Sequence, residues 1–81
     1  MLSIKVLGSG CANCKRLEQT AQRAVDSLGV AAQVEKVTDY SQIMGYGVMA
    51  TPGLVIDEKV MSSGRLPSLD EVTGWLAAAS E

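Results

Sequence analysis

Histidine is absent from this sequence of 81 residues. No imidazole can therefore serve as a general base, and no mixed Cys/His zinc pattern can be assembled. Cysteine is scarce, with Cys11 and Cys14 as the only two, so the pair could supply at most half of a four-ligand structural zinc site. No apolar run approaches the ~20 residues of a membrane-spanning helix. The start Met1-Leu2-Ser3-Ile4-Lys5 lacks the basic segment and long apolar core of a secretory signal. Neither sign of charge is in marked excess, and a net charge of -2 leaves no electrostatic footprint for nucleic acid or an anionic membrane. No repeat, low-complexity tract or linker-like stretch marks a boundary, so residues 1–81 are expected to form a single domain. That size is close to the lower limit at which one core is self-sufficient. The expected location is the cytoplasm, with no membrane and no nucleic acid among the partners.

What is present is organised around Gly8-Ser9-Gly10-Cys11-Ala12-Asn13-Cys14, which joins an apolar run to an amphipathic one. Leu2 to Leu7 alternates and then turns apolar, the pattern of a strand ended by Gly-Ser-Gly. Leu17, Ala21, Ala24, Val25 and Leu28 recur on one face of a helix with polar residues between them, and Gly29 is its expected C-terminal cap. Ala32 to Val37 reads as a second strand, parallel to the first across the helical crossover. Asp39 or Ser41 could cap a short helix carrying Ile43 and Met44 and ended by Gly45 or Gly47. Gly53 to Ile56 and Lys59 to Ser62 form an antiparallel hairpin turning at Asp57-Glu58, where Asp-Gly would be a stronger signal. Ser68 and Glu71 match a capping box for a last helix, whose expected buried stripe is Leu69, Val72, Leu76 and Ala79, with Trp75 on its flank. Tyr40 and Tyr46 read as half-buried packing residues, and Met44, Met49 and Met61 as core filling. The order β-α-β-α-β-β-α predicts an α/β fold, a four-stranded mixed sheet with three helices on its two faces.

The chemistry rests on the two thiols. In a reducing compartment a close cysteine pair is catalytic or metal-binding more often than structural, and a disulfide closing so short a loop adds little stability. A cysteine at the helix N-cap, as expected for Cys11, receives the backbone N–H groups of Asn13 and Cys14. The positive end of the helix then favours its thiolate, which is the nucleophile. Cys14, one turn on, is at disulfide distance and can resolve a mixed disulfide formed at Cys11. Gly8 and Gly10 flank the loop, leave the first sulfur accessible to a bulky disulfide partner and let the backbone turn sharply. From the residues alone, Pro52 reads as an ordinary trans proline at the start of a strand.

Gly10-Cys11-Ala12-Asn13-Cys14 after the first strand, Thr51-Pro52 before the third, and the element order together resemble the thioredoxin superfamily. The nearest likeness is to its small thioredoxin-like and glutaredoxin-like redox-active disulfide proteins. The resemblance implies a minimal thioredoxin fold and a thiol-disulfide oxidoreductase needing no cofactor, with Cys11 as nucleophile and Cys14 as resolving thiol. It also implies a cis Pro52 and a Thr51 backbone that pairs with an extended substrate strand, so that Gly10, Thr51 and Pro52 border the substrate. The partners implied are disulfide-containing client proteins and a thiol or flavoprotein reductase, with the protein itself a monomer. The sequence departs from thioredoxin in having Gly10 in place of tryptophan before the first cysteine and Ala12-Asn13 in place of Gly-Pro between the two. No counterpart of thioredoxin's buried carboxylate is evident near Ile4, Val6 or Leu7. The alternative is a soft-metal module holding Cu or Zn on the same cysteines. Heavy-metal-associated domains share the Cys-x-x-Cys after the first strand, but they end on a strand and lack Thr-Pro before a hairpin.

Overall fold

In the computed structural model, which describes residues 2–8, 12–48 and 50–79, the chain runs through β1 (Leu2–Leu7), α1 (Ala12–Leu28), β2 (Ala32–Val37), α2 (Tyr40–Gly45), β3 (Gly53–Ile56), β4 (Lys59–Ser63) and α3 (Leu69–Ala79). The four strands form a mixed sheet in the order β2-β1-β3-β4. This is the minimal thioredoxin fold. β1 lies parallel to β2, from Leu2 opposite Ala32 to Leu7 opposite Val37, and antiparallel to β3, with Leu7 opposite Gly53. β3 in turn runs antiparallel to β4, with a register shift between Leu54 and Val55. This arrangement brings the last residues of β1 and β2 to the same end of the sheet as the first residue of β3.

Strand alternation sends Leu2, Ile4, Val6, Leu54 and Ile56 to one face, where they pack with Leu17, Ala21, Ala24 and Val25 of α1 and Val72 and Leu76 of α3. The opposite face is smaller: Leu7, Val37 and Val55 meet Ile43 of α2 and Val48 beyond it. Central position explains why all four residues of β3 are buried, since a strand covered on both faces has no solvent side. The ends of the helices follow local chemistry. Gly29 stands at φ +66° and donates its N–H to the Val25 carbonyl at 3.0 Å, closing α1 as a left-handed cap. Asp39 caps α2 by accepting the Ser41 N–H at 2.9 Å. At α3 the Ser68 N–H donates to Glu71 Oε1 at 3.2 Å and the Glu71 N–H donates to Ser68 Oγ at 3.1 Å, the reciprocal pairing of a capping box.

Several side-chain expectations are corrected. Val72 and Leu76 are fully buried, but Leu69 is 41% exposed and Ala79 is also exposed. Helical spacing does align the four, yet only the middle turns of α3 lie over the sheet and α1, and its two ends overhang. Tyr40, at 73% exposed, lies on the outer side of α2, and Met44 at 44% shares that exposure, because a six-residue helix has room for one inward side chain and Ile43 takes it. Met61 packs against the larger core, while Met49 lies outside the described residues. The Asp57-Glu58 turn forms with both residues in the left-handed region, at φ +49° and +68°, the geometry that makes glycine the usual choice in such hairpins. Among the described residues no helix is long and apolar enough to cross a membrane.

Candidate functional site

Cys14 occupies the third position of α1, is only 5% exposed, and is disulfide-bonded. Gly8, just past β1, is buried and donates its N–H to the Val37 carbonyl at 3.0 Å, which extends the β1–β2 ladder by one residue. A methyl group added at Gly8 would overlap Cys14 Sγ, stand 3.2 Å from Cys14 Cβ, and lie 3.7 Å from Thr51 Cβ. Gly8 is therefore glycine because the sulfur occupies the space of its side chain, and not because its backbone needs a left-handed turn. The Thr51–Pro52 peptide bond is cis, with Pro52 buried and Thr51 exposed. The Pro52 carbonyl accepts the Gly64 N–H at 2.9 Å, so the loop after β4 is bonded to the proline. Three of the residues singled out from sequence, Cys14, Thr51 and Pro52, thus share one end of the sheet. Gly10 and Cys11 lie outside the described residues.

A second polar constellation, not anticipated from sequence, lies on the α2 face. Lys5 Nζ donates to Glu58 Oε1 at 2.7 Å and to Tyr46 Oη at 2.9 Å, while Tyr46 Oη donates to Glu58 Oε2 at 2.8 Å. The triangle is closed, and the ammonium also stands 5.6 Å from the centre of the tyrosine ring, within cation–π range. Its electrostatics are mutually reinforcing. Glu58, and then Tyr46, raise the Lys5 pKa well above the ordinary lysine range, and Lys5, followed by Tyr46, lowers that of Glu58. The three residues are separated by 41, 53 and 12 positions in sequence, so no local pattern links them. At the rim of the molecule, Arg65 makes two bonds to Glu71, at 3.1 and 2.9 Å, and its guanidinium lies 5.9 Å from the Trp75 ring centre. Arg65, then the Ser68 backbone, lowers the Glu71 pKa to about 2.

Residues 2–77 match the sequence model of a thioredoxin domain. The chain belongs to the thioredoxin family. It is 42% identical over 72 residues to a thioredoxin of Methanothermobacter thermautotrophicus, an alignment covering 89% of this chain and 94% of that protein. It is also 35% identical over 72 residues to a thioredoxin of Methanocaldococcus jannaschii, covering 89% of this chain and 83% of the other. Family membership agrees with the fold and with the cysteine pair at the strand-to-helix junction. The soft-metal alternative gains nothing from it, and among the described residues no group of three or more His, Cys, Asp or Glu side chains is placed to hold a metal ion.

The sequence signals differ in kind. The cysteine pair was visible from its spacing, whereas the close approach of Gly8 to sulfur was not, because a Gly-Ser-Gly break reads equally well as a turn. For the triangle the only available hint was Lys5, a charged residue among the buried apolar residues of β1 that requires a partner.

Proposed function

We propose that this chain is a thiol-disulfide oxidoreductase in which Cys11 is the nucleophile and Cys14 the resolving thiol. The observation that carries the reading is the oxidised Cys14 packed on Gly8 beside Thr51 and the cis Pro52. That arrangement sets the Cys14 sulfur beside a backbone segment, Thr51-Pro52, that in this reading receives a substrate strand. Cys11 directly precedes Ala12, the first residue of a 17-residue helix, and a helix of that length presents a full positive N-terminal end that favours a thiolate.

In the reduced form the Cys11 thiolate attacks one sulfur of a substrate disulfide. A mixed disulfide forms and the substrate's other sulfur leaves as a thiolate. The Cys14 thiolate then attacks Cys11 Sγ and releases the second substrate thiol. Two electrons pass to the substrate, two protons are taken up by its thiolates, and the protein is left as the Cys11–Cys14 disulfide. A thiol or flavoprotein reductase returns it to the dithiol. Gly10, Thr51 and Pro52 border the substrate in this scheme, Thr51 through its backbone groups. The clients are disulfide-containing proteins or small disulfides. The chain works as one domain over residues 1–81, as a cytoplasmic monomer without a cofactor.

Insulin reduction tests the assignment. Cys11→Ser should lose all turnover, and Cys14→Ser should accumulate a mixed disulfide that is recoverable by mass spectrometry. Retained turnover in the Cys11 variant would overturn the reading.

A further inference from the structure

We propose that the Lys5–Tyr46–Glu58 triangle is a positioning clamp that sets Thr51 for docking of a peptide disulfide. This rests on the oxidoreductase reading above. Gly8 packs on the Cys14 sulfur with Thr51 beside it, and the three chain segments that run to or from this end of the sheet each carry one corner of the triangle. β1 carries Lys5 and leads directly into Gly8, which packs on the sulfur. Tyr46 opens the segment that leads to Thr51. β3, which follows Pro52, ends at the turn holding Glu58.

Among the described residues, the path from Tyr46 toward Thr51 is held first by its return to α2, where the Gly47 N–H donates to the Met44 carbonyl at 2.9 Å. The Tyr46 N–H donates to the Ile43 carbonyl at 3.2 Å, and Gly47 reverses the chain at φ +78°. Val48 is buried against Gly53, where a methyl group would stand 3.3 Å from Val48 Cγ1. Thr51 itself is exposed. The tyrosine hydroxyl is the tie that fixes the start of this segment to both the strand below it and the hairpin beside it.

The hairpin turn shows how the third corner is held. Glu58 sits at φ +68°, where a residue with a side chain is strained and glycine is not. The turn nevertheless carries glutamate there, and both carboxylate oxygens are engaged, one by Lys5 and one by Tyr46. Glu58 has the carboxylate that closes the clamp.

Two variants separate positioning from simple stability. Tyr46→Phe keeps the ring and loses both hydroxyl bonds. Glu58→Gly removes the carboxylate while relieving the left-handed backbone, so its melting temperature should stay close to that of the unmodified protein. Pre-reduced protein is mixed with insulin or with hydroxyethyl disulfide, which has no backbone to dock, and its oxidation is followed by alkylation and mass analysis. Both variants should be oxidised by insulin roughly tenfold more slowly, the scale of one or two lost hydrogen bonds. Their rates with hydroxyethyl disulfide should stay within about twofold, as expected when the thiols themselves are untouched. The Thr51 amide should exchange faster with solvent relative to the Val55 amide in the same samples. Equal losses with both disulfides, or no loss with insulin, would overturn the clamp. Should the unmodified protein react with neither disulfide, it is the oxidoreductase reading that fails. The exchange ratio alone then decides the clamp, with faster Thr51 exchange supporting it and an unchanged ratio overturning it.

Discussion

One face of the sheet holds Leu2, Ile4, Val6, Leu54 and Ile56 under two helices of 17 and 11 residues, while the other holds Leu7, Val37 and Val55 under a helix of six. The first face is closed mainly by apolar contact, with the Lys36–Glu18 ion pair at 3.5 Å between β2 and α1 and the Arg65–Glu71 pair at the start of α3 beside it. The second is closed partly by Ile43 and Val48 and partly by the ammonium, phenol and carboxylate of the Lys5 triangle. The difference separates two tasks. A small chain has little apolar area to spare, and here most of it is concentrated where two long helices can cover it. The thinner face is left with polar ties that fix geometry more than they add stability. Thr51 and Pro52 are reached from that thinner face, through the segment that follows α2.

The largest effect should come from truncating the two cores separately. Leu17 is fully buried between α1 and the sheet, and Leu17→Ala should cost toward the upper part of the about 2–5 kcal/mol seen for large-to-small core changes. Set against a total stability of roughly 5–15 kcal/mol for a domain, that removes a large share of the whole. Ile43→Ala on the other face should fall at the lower end of the same range, about 2 kcal/mol, since a six-residue helix can settle onto the space left behind. Urea midpoints of the two variants give the comparison. If Ile43→Ala proves as damaging as Leu17→Ala, the faces are not unequal in the way described.

A change at the junction of the faces should come next. Gly8→Ala places a methyl group on Cys14 Sγ, and since that side chain is buried and held in its disulfide, overpacking of about 1–3 kcal/mol is expected. The oxidised and reduced forms need not suffer equally. Thermal melts of each form, together with a redox titration of the pair, would show it. An alanine variant with unchanged melting in both forms would mean that the sulfur is free to move aside.

How far the sequence foretold this molecule depends on the distance over which each feature is encoded. The α1 stripe was legible because Leu17, Ala21, Ala24 and Val25 repeat within one helix, and the capping box because Ser68 and Glu71 are three positions apart. The strands were legible because alternation is local too. At α3 the same local rule overreached. It aligned Leu69 and Ala79 with the buried pair but could not know where the sheet ends. The cysteine pair announced redox or metal chemistry by spacing alone, yet what packs on it did not show. The contact of Gly8 with sulfur depends on tertiary approach, and the partners of Lys5 lie 41 and 53 positions away. For Thr51–Pro52 the residues favoured trans, and only the family resemblance implied the cis bond that is observed. Ionic and hydrogen-bonded ties between distant segments leave no periodic trace, which is why the thinner face was the less legible one.

The smallest effect expected belongs to the well-covered face, at the cap of α3. Glu71 is held by Arg65 and the Ser68 backbone, and its pKa is lowered to about 2 from an ordinary value of about 4.3. A carboxylate depressed in this way favours the folded state at pH values above its unfolded pKa, and that contribution is lost as the pH falls through the folded value. Because the Arg65–Glu71 pair is about half exposed, water and salt screen it and its weight at neutral pH is small. Glu71→Gln should therefore lower the urea midpoint slightly at neutral pH. The gap to the unmodified protein should close as the pH is brought from about 4 to about 2, and added salt should narrow it further. A gap that stays constant across that range would mean that the ionised carboxylate gains nothing in the folded state, from Arg65 or from the Ser68 N–H. The ion pair with Arg65 would then contribute nothing to the stability of the face it borders.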